Sequence, residues 1–131
     1  MDYEAQYELS QTLKKFYKSM GLFGKICFPT ALKAEIPPFH TEVYKNLQNP
    51  NVPRVLVAAP RGTAKSTVSS LILPLWRAAF KPEDEDLFIV IISESQTQSI
   101  NFLSRIKYHL ENSSTYRRLF GDMGPSTAKR W

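Results

Sequence analysis

Cysteine is nearly absent from this chain: Cys27 stands alone among 131 residues. A lone cysteine excludes an intrachain disulfide and any zinc site built on several thiolates. In the apolar stretch GKICFP it reads as a small buried hydrophobe of a reducing cytoplasm. Long apolar runs are missing too. The longest, around Leu71 to Trp76, falls far short of the roughly 18 to 20 residues of a bilayer span, and the N-terminus MDYEAQYELS opens acidic and polar. Neither a membrane span nor a secretion signal is expected. No internal repeat is visible.

What is present is ordinary for a folded domain. Apolar residues make up 43% and charged residues 22%, which argues against disorder and against a fibrous repeat. At roughly 100 to 200 residues per domain, the length allows one core. Seventeen Lys and Arg against twelve Asp and Glu give a net charge of +5 and a pI near 9.4, so phosphate polymers would be attracted. From Asn101 onward Arg105, Lys107, Arg117, Arg118, Lys129 and Arg130 face only Glu111 and Asp122. Such a basic stretch fits nucleic-acid contact or a plain solvated helix face.

Periodicity gives the outline of the fold. Tyr3, Tyr7, Leu13, Phe16, Tyr17 and Met20 recur at helical spacing and predict an amphipathic helix closed by Gly21. The stretch after Gly21, through Pro29 and Ile36-Pro37-Pro38, reads as irregular, and Phe39 to Leu47 as a short helix ended by Asn49, Pro50, Asn51 and Pro53. RVLVAA (54–59) and LFIVII (87–92) have the composition of strands buried on both faces of a parallel sheet. Between them Lys65 to Phe80 has helical length, with Pro74 set to kink or split it. PEDED (82–86) is an acidic turn. Ser93 or Ser95 is placed to cap a last helix, on which Ile100, Leu103, Ile106 and Leu110 form an inward stripe. His109 is expected to be structural. After 112–114 come TYRRLFGDM and a polar tail, GPSTAKRW. Strand, loop, helix, strand, helix predicts an α/β domain, and two parallel strands are too few for a stable sheet, so the chain is expected to be the front of a larger one.

One motif carries chemistry. Ala59-Pro60-Arg61-Gly62-Thr63-Ala64-Lys65-Ser66-Thr67 lines up with the phosphate-loop pattern G-x-x-x-x-G-K-S/T, with alanine at both pattern glycines. Such a loop turns backbone N–H groups onto phosphate oxygens at a helix N-terminus, where the helix dipole also favours negative charge. Lys65 would reach the β and γ phosphates, and the Ser66 hydroxyl would ligate Mg²⁺. The alternative is a strand-to-helix turn that happens to contain a lysine and a hydroxyl.

PRGTAKST after RVLVAA resembles the variant phosphate loop of phage terminase large subunits, the DNA-packaging ATPases, in which an early loop arginine and an alanine before the lysine are familiar. The resemblance covers roughly residues 36–131. Pro38-Phe39-His40-Thr41-Glu42 is similar to the family's short adenine-side motif, LILPLW (71–76) to its proline-interrupted helix, Ile92-Ser93-Glu94-Ser95 with Gln98 to its second strand and helix, and Leu119-Phe120-Gly121-Asp122 to the segment after that. It implies an incomplete P-loop NTPase, a three-layer αβα parallel-sheet fold, with residues 1–35 as a helical lead-in and 36–131 as the N-terminal portion of the ATPase domain. Gly62, Thr63, Ala64, Lys65, Ser66 and Thr67 would hold the triphosphate and its Mg²⁺. Arg61 would sense or stabilise the γ-phosphate, a task suited to its planar, always-charged fork, and His40 would lie on the adenine side.

The implied activity is ATP hydrolysis that drives double-stranded DNA into a procapsid. The implied partners are a portal protein, a small terminase subunit and further copies in a ring, at the portal in the host cytoplasm. No Walker B sequence is present, since LFIVII runs into Ser93-Glu94 without an aspartate, and a Walker B strand and a nuclease domain are expected beyond Trp131. Two other readings stay open: a helicase-like, nucleic-acid-stimulated ATPase, and a small basic nucleic-acid-binding domain without ATPase activity.

Overall fold

The computed structural model describes residues 3–33, 35–82 and 84–122. Among these, the helices are α1 (Tyr3–Lys18), α2 (Met20–Cys27), α3 (Pro38–Gln48), α4 (Lys65–Thr67), α5 (Leu73–Ala79), α6 (Gln96–Asn112) and α7 (Ser114–Phe120). A π-helical turn, Val68–Ile72, joins α4 to α5 in one run over 65–79.

No strand occurs among the described residues, and this overturns the expected α/β fold and its three-layer parallel sheet. The reason lies in the ladder. A strand exists only against a neighbour that takes its N–H and C=O groups, and no backbone group of 54–59 or 87–92 is hydrogen-bonded. Their composition is that of strands, yet many of their side chains stay in solvent: Leu56 is 94% exposed, Phe88 88% and Ile92 88%, while Val57, Ala59 and Ile91 are half-buried. The polar tail at 124–131 lies outside the described residues.

The first helix also ends differently from the sequence expectation. Ser19 leaves the helical region and its hydroxyl accepts from Leu22 N–H at 3.2 Å, which caps a new helix. Gly21 therefore stands inside α2, and the stretch expected to be irregular begins with a helix. Glycine there serves close packing. A Cβ on Gly21 would lie 2.9 Å from Tyr44 Cε2, and one on Gly24 2.8 Å from Leu32 Cδ1 and 3.0 Å from Ile72 Cγ2. These two bare positions let α3 and the π turn press onto the α2 backbone.

The core is built around that contact. Phe16, Met20, Phe23, Cys27, Phe28, Leu71, Ile72, Leu75, Trp76 and Tyr116 are all buried. Phe23 sits at its centre, meeting Phe16, Phe28, Phe80, Tyr116 and Phe120 edge to face at centroid distances of 5.6 to 6.1 Å, a favourable geometry for ring quadrupoles. Trp76 Nε1–H donates to the Phe16 carbonyl at 3.0 Å, tying α5 to α1. Cys27 is buried as expected, and desolvation pushes its thiol up to about 12. His109 lies edge-on to Phe28 at 5.4 Å, and its pKa is lowered by burial and then by Arg105.

Two expectations about helices changed in detail. Pro74 interrupts without splitting: it has no N–H for the carbonyl four residues back, and the wider π turn before it makes room for the ring. The stripe on α6 faces inward only in its second half, where Ile106 and Leu110 are partly buried against the core. Ile100 and Leu103 are 53% and 50% exposed, and no residue of α6 is fully buried.

Gly21→Ala tests the close contact. Overpacking against a rigid ring costs about 1 to 3 kcal/mol and outweighs the roughly 0.5 to 1 kcal/mol of better helix propensity. Urea denaturation should show a net loss of about 1 kcal/mol, and an unchanged or higher midpoint would mean that Tyr44 moves aside freely.

Candidate functional site

The loop from Pro60 to Ala64 enters the 65–79 helical run through two left-handed residues. Gly62 has φ +83° and open space where a Cβ would be, and Ala64 has φ +54°, ψ +19°. Ala64 is the one described non-glycine residue with positive φ, a conformation that costs an L-residue about 1 to 2 kcal/mol. It stands where the pattern has its second glycine, so the chain keeps that turn and accepts the strain. Ala59, at the first pattern glycine, has no positive φ and needs no glycine.

Three hydrogen bonds hold this conformation. Thr63 Oγ1 donates to the Pro60 carbonyl at 2.8 Å, and Lys65 Nζ reaches the same oxygen at 3.0 Å, so the lysine folds back across the loop. The third comes from α3: His40 Nε2 meets the Thr63 carbonyl at 2.6 Å. A carbonyl only accepts, so Nε2 carries the proton. His40 is buried, packed between Phe39 and Tyr44.

Behind the loop the helix start is open. The N–H groups of Lys65, Ser66 and Thr67 have no acceptor among the described residues, and Ala64 offers no side-chain cap. The first bond of the run is Val68 N–H to the Ala64 carbonyl. By contrast Ser19, Ser95 and Ser113 each cap their own helix with a hydroxyl. Unpartnered N–H groups at a helix start form an anion site. Arg61 and Ser66 are exposed beside them, and neither makes a side-chain hydrogen bond or ion pair among the described residues.

A cavity of about 240 Å³ lies between residues 31–33, 35–37, 39 and 40 on one side and Gly62, Thr63 and Ala64 on the other. Leu32, Ile36 and Phe39 give it apolar walls, and Lys33 and Glu35 also line it. It is smaller than the usual ligand pocket of roughly 300 to 1,000 Å³ and is sized for a single ring system. The sequence motif thus brings Gly62, Thr63, Ala64 and Lys65 together with His40, but His40 is a clamp on the loop as well as a wall of the cavity. Nothing in the sequence marks Lys33, Glu35 and Ile36 as lining a cavity, because prolines follow them and no periodicity runs through them.

Comparison with protein-family models, curated proteins and solved structures finds no match. Among the described residues no helix is long and apolar enough to cross a membrane. No group of three or more His, Cys, Asp or Glu is placed there to hold a metal. The stretch 60–67 carries three hydroxyls, on Thr63, Ser66 and Thr67, and no carboxylate, so a Mg²⁺ there would need phosphate oxygens for most of its ligands.

Ala64→Gly should relieve the left-handed strain and raise stability. The gain of about 1 to 2 kcal/mol is cut by the roughly 0.5 to 1 kcal/mol of added chain freedom, leaving about 0.5 to 1 kcal/mol. A thermal midpoint that falls would place the strain elsewhere.

Proposed function

We propose that residues 60–67 bind the phosphates of Mg-ATP, and that the chain is the ATP-binding part of a viral DNA-packaging motor of the terminase large-subunit kind. The observation that carries this reading is the uncapped start of the 65–79 run. Three free N–H groups stand there, at the end of a loop that carries Arg61 and leads into Lys65 and whose strained conformation is held by His40. In ATP the phosphates lie on those donors. Lys65 leaves the Pro60 carbonyl for a phosphate oxygen, Arg61 meets the γ end, and the base enters the cavity beside Phe39 and His40. Ser66 would supply a hydroxyl to the Mg²⁺ that accompanies the phosphates. In the assembled motor ATP hydrolysis would move double-stranded DNA into a procapsid at the portal, in the host cytoplasm, with a portal protein, a small terminase subunit and further copies of the chain. Among these residues no apolar run leads into Asp-Glu, so binding is the activity assigned to them.

Titration calorimetry with Mg-ATP should show saturable binding, weakened at least tenfold, about 1.4 kcal/mol, by Lys65→Ala. Inorganic tripolyphosphate should bind more weakly than ATP, because it leaves the cavity unfilled, and Arg61→Ala should reduce ATP affinity more than ADP affinity. Equal affinity of the wild type and Lys65→Ala would end this reading. Arg105, Lys107 and Arg118 are exposed and have no carboxylate partner among the described residues, which favours a second reading, a nucleic-acid-binding domain. Salt-sensitive duplex binding by a chain indifferent to ATP would support it.

A further inference from the structure

Remote from the loop, a groove of about 620 Å³ runs along α1, floored by Leu9, Leu13, Tyr17, Ala79, Phe80 and Phe120. The floor is rigid: Tyr17 stacks on Trp76 at 5.8 Å and meets Phe80 edge-on at 5.5 Å, and Phe80 meets Phe120 at 5.2 Å. Lys14 and Lys18 rim one end, and neither has an ion pair among the described residues, nor does Lys15 next to them. Toward its N-terminal end the same helix presents Tyr3 and Tyr7, outside the groove lining and 82% and 58% exposed.

We infer that this groove binds an amphipathic helix of another protein whose acidic residues meet Lys14 and Lys18. Three observations choose that occupant. From Gln6 to Lys18 the α1 wall runs for about 18 Å at 1.5 Å per residue, the length of roughly three helical turns. The wall is itself a helix with its backbone bonds closed, and the lining is mostly apolar with Gln6 and Ser10 as its uncharged polar groups, so the groove offers no backbone edge to pair with an extended chain. A docked helix brings its own backbone bonds and needs only apolar anchors at i, i+3, i+4 and i+7. The free lysines at one end then fix its sign of charge and its direction. The inference is independent of nucleotide binding.

The test uses two fluorescein-labelled, helix-forming peptides, both with leucine at i, i+3, i+4 and i+7, one glutamate-rich and one lysine-rich elsewhere. Anisotropy titration of the full chain should show the glutamate peptide binding at least about tenfold tighter, with the advantage lost at high salt. Leu13→Glu should abolish binding with the circular dichroism spectrum unchanged. The variant K14E/K18E alters only exposed positions and so should fold normally; it should reverse the preference toward the lysine peptide. Equal binding of the two peptides, or no reversal in K14E/K18E, would overturn the inference. So would concentration-dependent self-association that Leu13→Glu removes, because a second copy would then fill the groove.

Discussion

The rest of the structure depends on how closely other elements approach α2. Eight residues cannot hold a helix alone in water; α2 persists because it is enclosed by α1, α3, α5 and α7. Missing Cβ atoms at Gly21 and Gly24 set the distance of Tyr44 and Ile72. Those two contacts reach further than the core. Tyr44 lies one turn along α3 from His40, which holds the Thr63 carbonyl, and Ile72 ends the π turn that follows the loop's helix start. The place of the 60–64 loop is therefore decided at α2, on the far side of two elements.

Held at both ends, the loop can keep a backbone that alanine disfavours. Ala64 in the left-handed region would relax in an isolated peptide, but His40 fixes the carbonyl before it and the Val68 N–H fixes its own. Strain is tolerated where the surroundings over-determine the conformation. The outcome is a helix start left uncapped in a chain that caps three other helices with serine, and that contrast gives the loop its chemical character.

Much of the helical content was legible because it rests on local pattern. The amphipathic spacing through 3–18, the run after Pro38, the stretch around Pro74 and the Ser95-capped α6 all follow from side-chain period, caps and proline. The failures come from non-local causes. RVLVAA and LFIVII carry strand composition, yet a strand needs a partner that no residue within these segments can specify. Gly21 looked like a helix stop because its close neighbour, Tyr44, is 23 residues away in the sequence. The phosphate-loop pattern singled out the loop, but the clamp by His40 was out of reach: a histidine beside a phenylalanine gives no sign that its Nε2 ends on a loop carbonyl. For α6, period alone identified an apolar stripe and could not say whether anything covers it.

The apolar segments 54–59 and 87–92 impose a colloidal cost. Leu56, Phe88, Val90 and Ile92 project into solvent from backbone with no hydrogen-bond partners, the composition from which intermolecular cross-β contacts grow. Their flanks hold the usual gatekeepers: Pro53 and Pro60 bracket the first, and Asp84, Glu85 and Asp86 precede the second. Proline refuses a ladder bond, and stacked carboxylates repel in register. Screening salt silences the carboxylates and leaves the prolines untouched, so high ionic strength releases association through 87–92 well before 54–59.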